Sequence, residues 1–213
     1  MNHPIKLYRF RLSGHSHRVE LFLSLLGVPF ERIEVELGKG EHKTPAFLSL
    51  NRFGQVPVIE DRGYILADSN AILVYLAIAY DPERRWYPND SVGAASVQRW
   101  LSAAAGPLLT GPAHARLVGI FNAKHDLGRA HAIARELFDV MEDHLAQKGG
   151  HLVGRHHTIA DIALYTYTAH AVEGHLNLAP YPAVRAWLAS IEALPGFLPM
   201  VRTEPRYGAS AGN

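Results

Sequence analysis

The apolar positions of this chain follow two different periods, and the change falls near residue 82. Before it, short strand-like runs alternate with helical ones. Residues 5–10 (IKLYRF) are β-branched and aromatic enough to predict a strand, closed by the polar break Ser13-Gly14-His15-Ser16. From Ser16 onward Val19, Phe22, Leu23 and Leu26 recur at helical spacing, and Gly27 reads as the stop. After Pro29, the residues Ile33, Val35 and Leu37 alternate with charges, as on a half-buried strand. Thr44-Pro45 supplies an N-cap and a proline at the first helical position, so a short helix is predicted over 45–50. VPVIED and YILA flank Asp61-Arg62-Gly63 and predict a hairpin. The run from Ser69 through AILVYLAIAY is apolar on most faces and predicts a buried helix. The order is β-α-β-α-β-β-α.

Beyond Asp81-Pro82 the pattern is helical only. Residues 91–121 read as one long helix that Gly106-Pro107 and Gly111-Pro112 must bend or break. Further helices are predicted over 129–147, 158–173 and 182–194. No internal repeat or low-complexity tract interrupts them. The expected organisation is a mixed α/β domain over 1–82 and an all-helical domain over 91–213.

Composition narrows the function classes. The 213 residues are 48% hydrophobic and 19% charged, which suits a globular protein with a sizeable core. A formal net charge of +1 offers no general field for nucleic acid or an anionic membrane surface, so neither is expected as a partner. No apolar run approaches the ~20 residues of a membrane span. The opening MNHPIKLYRF lacks the apolar core of a secretory signal. There is no cysteine, hence no disulfide, no thiolate zinc site and no cysteine nucleophile, which fits a cytoplasmic location. Any sulfur chemistry must use a thiol carried by a ligand. The thirteen histidines lack HExxH or i, i+4 spacing with convergent carboxylates, and no metal site is expected.

Two short stretches carry the candidate chemistry. Val56-Pro57 opens a strand. It reads either as an ordinary edge proline or as a cis bond that turns the Val56 N–H and C=O outward, where an extended peptide can pair with them. Asp68-Ser69 stands at a helix start. Plain capping accounts for it, but free N–H groups beside a carboxylate would also read the paired charges of an α-amino acid head group.

Taken with the element order, EHKTP, N-x-FGQVPVIED and ADSNAILVYLA resemble the glutathione transferase family over nearly the whole chain, closest to its serine-type theta, phi and zeta classes and their bacterial relatives. The resemblance implies a thioredoxin-like N-terminal domain that binds glutathione and an all-α C-terminal domain forming one wall of an electrophile pocket. It implies a cis-proline at Pro57 with the Val56 backbone pairing to the cysteinyl residue of glutathione. Asp68 and Ser69 would grip the γ-glutamyl head, and His42 and Lys43 would reach the glycine carboxylate, with Gln55 nearby. A homodimer, a small-molecule electrophile as second substrate and a role in detoxification are further implications. Arg52 departs from the family pattern, where proline is common.

Ser13 lies five residues before Arg18, the spacing of the thiolate-stabilising serine in phi- and zeta-like members; Ser16, also at the helix start, is its rival. A free thiol titrates near 8.5, and lowering that by about two units needs roughly 2.7 kcal/mol of preference for the anion. One hydrogen bond to a charged acceptor offers about 1.5–3 kcal/mol and a helix N-terminus a further ~0.3–1. The hydroxyl therefore need only donate to sulfur, not remove its proton. Tyr8 lies too early for this role and reads as packing, Arg18 as a brace, and His15 as a neighbour able to tune the sulfur. Thr158-x-x-Asp161 is a capping box before an apolar run, a structural signal. The leading expectation is conjugation of the glutathione thiolate to hydrophobic electrophiles. The alternatives are glutathione-dependent isomerisation or peroxide reduction, or a non-catalytic binding protein on the same scaffold.

Overall fold

A computed structural model describes residues 4–208 as two compact units. The first runs through Tyr87 and takes in Leu194–Val201; the second holds Pro88–Ala193 and the segment from Arg202 onward. In the first unit the order is β1 (Ile5–Arg9), α1 (Gly14–Leu25), β2 (Phe30–Glu34), α2 (Pro45–Leu50), β3 (Val58–Asp61), β4 (Tyr64–Ala67) and α3 (Ser69–Tyr80). The four strands form one sheet in the order β2-β1-β3-β4. Strands β1 and β2 are parallel and joined through α1, whereas β3 runs antiparallel to both β1 and β4. This is the expected α/β arrangement.

Two cores stabilise the sheet. Val35, Phe47 and Val58 form one cluster, packed by Tyr8, Leu37, Leu50, Val56 and Ala67. Val19, Leu21, Phe22 and Leu23 of α1 and Ile72, Leu73, Leu76 and Ala77 of α3 are buried, and the two helices pack together. Helix α1 starts at Gly14, earlier than its apolar residues indicate. Ser13 is its N-cap, the hydroxyl accepting from the Ser16 N–H at 3.2 Å. Its first turns are buried although polar, so hydrophobic spacing alone misses them.

The second unit is helical throughout. Helix α4 (Ser91–Ala105) ends at Gly106, a turn of π-helix over Leu109–Ala113 absorbs Pro112, and α5 (His114–Phe121) follows. The two Gly-Pro pairs thus divide the long helical run into three. Then come α6 (Leu127–Gln147), α7 (Ile159–Ala169) and α8 (Pro182–Glu192). The helix expected over 158–173 stops at Ala169 and passes into a 3-10 turn, Ala171–Gly174. Leu194–Val201 packs with the first unit instead of extending α8. The Ser24 hydroxyl donates to the Gly196 carbonyl at 2.6 Å, and the His17 Nε2 lies 2.8 Å from the Leu198 carbonyl.

The capping box forms and does more than cap. Asp161 is fully buried and accepts from the Thr158 N–H at 2.8 Å, the Leu152 N–H at 3.2 Å and the Trp187 indole at 2.8 Å. Burial pushes its carboxyl up. The His157 imidazole 3.7 Å away, the Thr158 N–H and the Trp187 N–H outweigh that and hold it below its ordinary value. Thr158→Ala should cost about 1 kcal/mol in urea denaturation. Asp161→Ala should cost about 3 kcal/mol or more, because buried Leu152 and Trp187 donors are stranded at roughly 1–3 kcal/mol each. A depressed folded pKa places the ionic part of this contribution above the unfolded value near 4. The difference between wild type and Asp161→Asn should therefore shrink as pH falls below about 4.

Candidate functional site

The strand register gathers the candidate residues at one end of the sheet. Val58 lies opposite both Tyr8 on β1 and Ala67 on β4. Val56 and Pro57 immediately precede β3, and Asp68 and Ser69 immediately follow β4, so both pairs leave the sheet at this end. The same end carries the exit of β1 into the loop that delivers Ser13. Tyr8 itself packs edge-on against Phe47, its ring 6.5 Å away, with its hydroxyl 3.4 Å from Glu60, which is a packing role.

Two helix N-termini open onto this end. At α1, Ser13 is half-buried, and its oxygen accepts from the Ser16 N–H. Ser16 has no solvent exposure and its hydroxyl accepts from the Phe10 N–H at 3.3 Å. At α3, Asp68 is exposed with φ 74°, and its Oδ1 accepts from the Ala71 N–H at 2.9 Å. The carboxylate therefore caps the helix. Ser69 is buried just behind it.

Arg18 ties these two helix starts together. Its guanidinium is 1% exposed and its Nη1 donates to Ser69 Oγ and to Asn70 Oδ1, both at 2.8 Å. The His15 Nδ1 lies 3.3 Å from the same Ser69 oxygen. Burial first, and the Arg18 charge second, push the His15 imidazole down to about 3, so the ring is neutral at any working pH. The sequence reading treated Arg18 as a brace for the loop. It also braces the α3 terminus, through partners 51 and 52 residues away that no local spacing reveals.

The Val56-Pro57 bond is cis. Among the described residues, neither backbone group of Val56 has a hydrogen-bond partner in the chain, although its side chain packs into the core cluster. The loop before it is held rigidly. The Asn51 side chain donates to the Gln55 carbonyl at 2.9 Å and accepts from the Phe53 N–H at 3.1 Å. Lys43 Nζ donates to the Phe53 and Gly54 carbonyls at 3.2 and 3.1 Å. Gly54 has φ 59°, and a Cβ there would lie 2.7 Å from the His42 carbonyl. The 42–43 turn and the proline loop thus press together at that glycine. His42 is half-buried and Gln55 exposed. Asn51 and Gly54 were not picked out from sequence, although both sit inside the quoted motif.

Known proteins match the chain over most of its length. Residues 3–78 match the model for the glutathione S-transferase N-terminal domain, and residues 94–190 that for the C-terminal domain. The chain is 34% identical over 221 residues to glutathione S-transferase 3 of Zea mays, covering 95% of each chain. It is 32% identical over 203 residues to glutathione S-transferase theta-1 of Rattus norvegicus, covering 90% of this chain and 84% of the rat protein. Among solved structures, a glutathione S-transferase from Pseudomonas fluorescens superimposes with a TM-score of 0.87 at 33% identity, covering 93% of this chain and all of that one. Two helix termini, an open cis-proline edge and these relatives converge: the chain is a glutathione transferase and belongs to the glutathione S-transferase family.

Proposed function

We propose that Ser13 donates its hydroxyl to the sulfur of glutathione and holds it as the thiolate that attacks a small hydrophobic electrophile. The observation that carries this is the hydrogen bonding of Ser13. Its oxygen receives the Ser16 N–H, and among the described residues its proton has no acceptor in the chain. That proton is available to a ligand and sits at the N-terminus of α1, where negative charge is favoured. Ser16 is fully enclosed, so Ser13 is the donor we assign.

The remaining residues hold the tripeptide. The Val56 N–H and C=O pair with its cysteinyl backbone as a short added strand, beside Pro57. The Ser69 N–H and hydroxyl take the γ-glutamyl carboxylate at the α3 terminus, and exposed Asp68 meets the ammonium. Lys43 and His42 face the glycine carboxylate with Gln55 at its edge; Lys43 keeps its place there by clamping the loop carbonyls.

A second copy of the chain completes the assembly. On the first unit Phe53 is 81% exposed, and Tyr64 and Ile65 of the edge strand β4 and Ile78 of α3 are also in solvent. Exposed large apolar side chains on this unit support a surface that another protein covers.

Three outcomes follow. Ser13→Ala should raise the pKa of the bound thiol by about 1–2 units, read by thiolate absorbance against pH, and lower turnover at neutral pH by roughly ten- to a hundredfold. An unchanged pH–rate profile would remove Ser13 from the mechanism. Gly54→Ala forces a side chain at positive φ against the His42 carbonyl, so glutathione affinity by calorimetry should fall by about tenfold or more. Sedimentation velocity should show a particle of twice 23.5 kDa that Phe53→Ser shifts towards monomer; a monomer at every concentration would end the dimer reading.

A further inference from the structure

The hydroxyl of Ser69 has more neighbours than the grip on glutathione requires. It is 5% exposed, takes the Arg18 Nη1–H at 2.8 Å and lies 3.3 Å from His15 Nδ1. A serine hydroxyl has one proton and two lone pairs. A guanidinium only donates, so Arg18 occupies one lone pair. What His15 does decides where the proton goes. If Nδ1 accepts, the proton turns inward and the oxygen has only a lone pair to offer a ligand, which a carboxylate cannot use. If Nδ1–H donates, both lone pairs are filled and the proton must point away from the protein's own groups.

We propose that His15 is a positioning residue for glutathione: its Nδ1–H donates to Ser69 Oγ and, with Arg18, leaves the hydroxyl proton of Ser69 for the γ-glutamyl carboxylate. This rests on the reading that Ser69 and the α3 terminus hold that carboxylate. The bound anion itself favours the arrangement, because a hydrogen bond to a charged acceptor is stronger than one to a neutral ring nitrogen. His15 stays neutral beside Arg18, so it does not place a second buried cation against the first. It acts through Ser69 at the γ-glutamyl end, two residues after the serine assigned to the sulfur. A ring at this position would ordinarily be ascribed to the sulfur; its hydrogen bond to α3 assigns it to the other end of the tripeptide.

Kinetics and NMR separate the possibilities. His15→Leu should raise the KM for glutathione by about tenfold while kcat at saturating glutathione stays within about twofold. His15→Asn, which can place an amide N–H where Nδ1–H was, should recover most of that loss. The double variant with Ser69→Ala should raise the glutathione KM no further than Ser69→Ala alone, because the proposed route from His15 to the ligand runs through that hydroxyl. In the glutathione complex, long-range nitrogen–proton spectra of 15N-histidine protein should show His15 protonated on Nδ1, with the signal assigned by its loss in His15→Asn. A fall in kcat with KM unchanged, a silent His15→Leu, no recovery in His15→Asn or an Nε2–H tautomer in the complex would each overturn the proposal. If His15→Leu does not fold, the tautomer of the wild-type complex decides alone. If Ser69→Ala leaves the glutathione KM unchanged, the underlying reading of the carboxylate site fails. A damaging Ser69→Ala beside a silent His15→Leu refutes only the role of His15.

Discussion

The register of β3 against its two neighbours is the constraint on which the site depends. With Val58 opposite Tyr8 and Ala67, Val56 and Pro57 lie just before β3 and Asp68 and Ser69 just after β4, at the same end of the sheet. A slip of one residue would turn Val58 away from the core and carry Val56 to the wrong face, because side chains alternate along a strand. The hairpin turn prevents that slip. Arg62 and Gly63 both have positive φ, at 50° and 83°, as a two-residue turn between right-twisted strands requires. Asn70 is fourteen positions after Val56, so the cis-proline edge and the α3 terminus are nearly a local unit. Ser13 with its helix, and the 42–43 turn, come from elsewhere in the first unit.

That difference explains how much was legible in the sequence. The 44–80 stretch could be read closely because its signals are local: Thr44-Pro45 caps α2, Gly63 turns the hairpin, and Asp68 caps α3. The start of α1 was misplaced because its first turn is buried and polar, and apolar spacing cannot mark such a turn. The buried network in the second unit was invisible for a related reason. Arg116 pairs with Glu173, which also meets His170 and the Thr203 N–H. Those partners lie up to 57 residues apart, and each looks like a surface residue in its own stretch. The return of Leu194–Val201 to the first unit rests on backbone carbonyls at Gly196 and Leu198, which carry no residue-type signature at all. The sequence marks Asp161 as a cap, and its hold on Trp187 is visible only in three dimensions.

Arg18 places a buried positive charge and two directed hydrogen bonds behind the α3 terminus. The chain as a whole is almost neutral, so affinity for an anionic tripeptide has to be created locally. Two helix N-termini already face that end of the sheet, and a third positive group in direct contact with ligand would favour any anion equally. Arg18 is placed one layer back instead, its Nη1 donating to both Ser69 Oγ and Asn70 Oδ1. Its charge still favours anions at the α3 terminus, while its geometry fixes the two side chains that begin the helix. Both bonds leave the one nitrogen Nη1, whose two protons lie in the guanidinium plane and so fix the directions of Ser69 Oγ and Asn70 Oδ1. The same burial excludes a second cation nearby, which keeps His15 a neutral ring with one donor and one acceptor. Charge, direction and tautomer at this terminus are therefore one problem, and the placement of Arg18 behind Ser69 constrains all three.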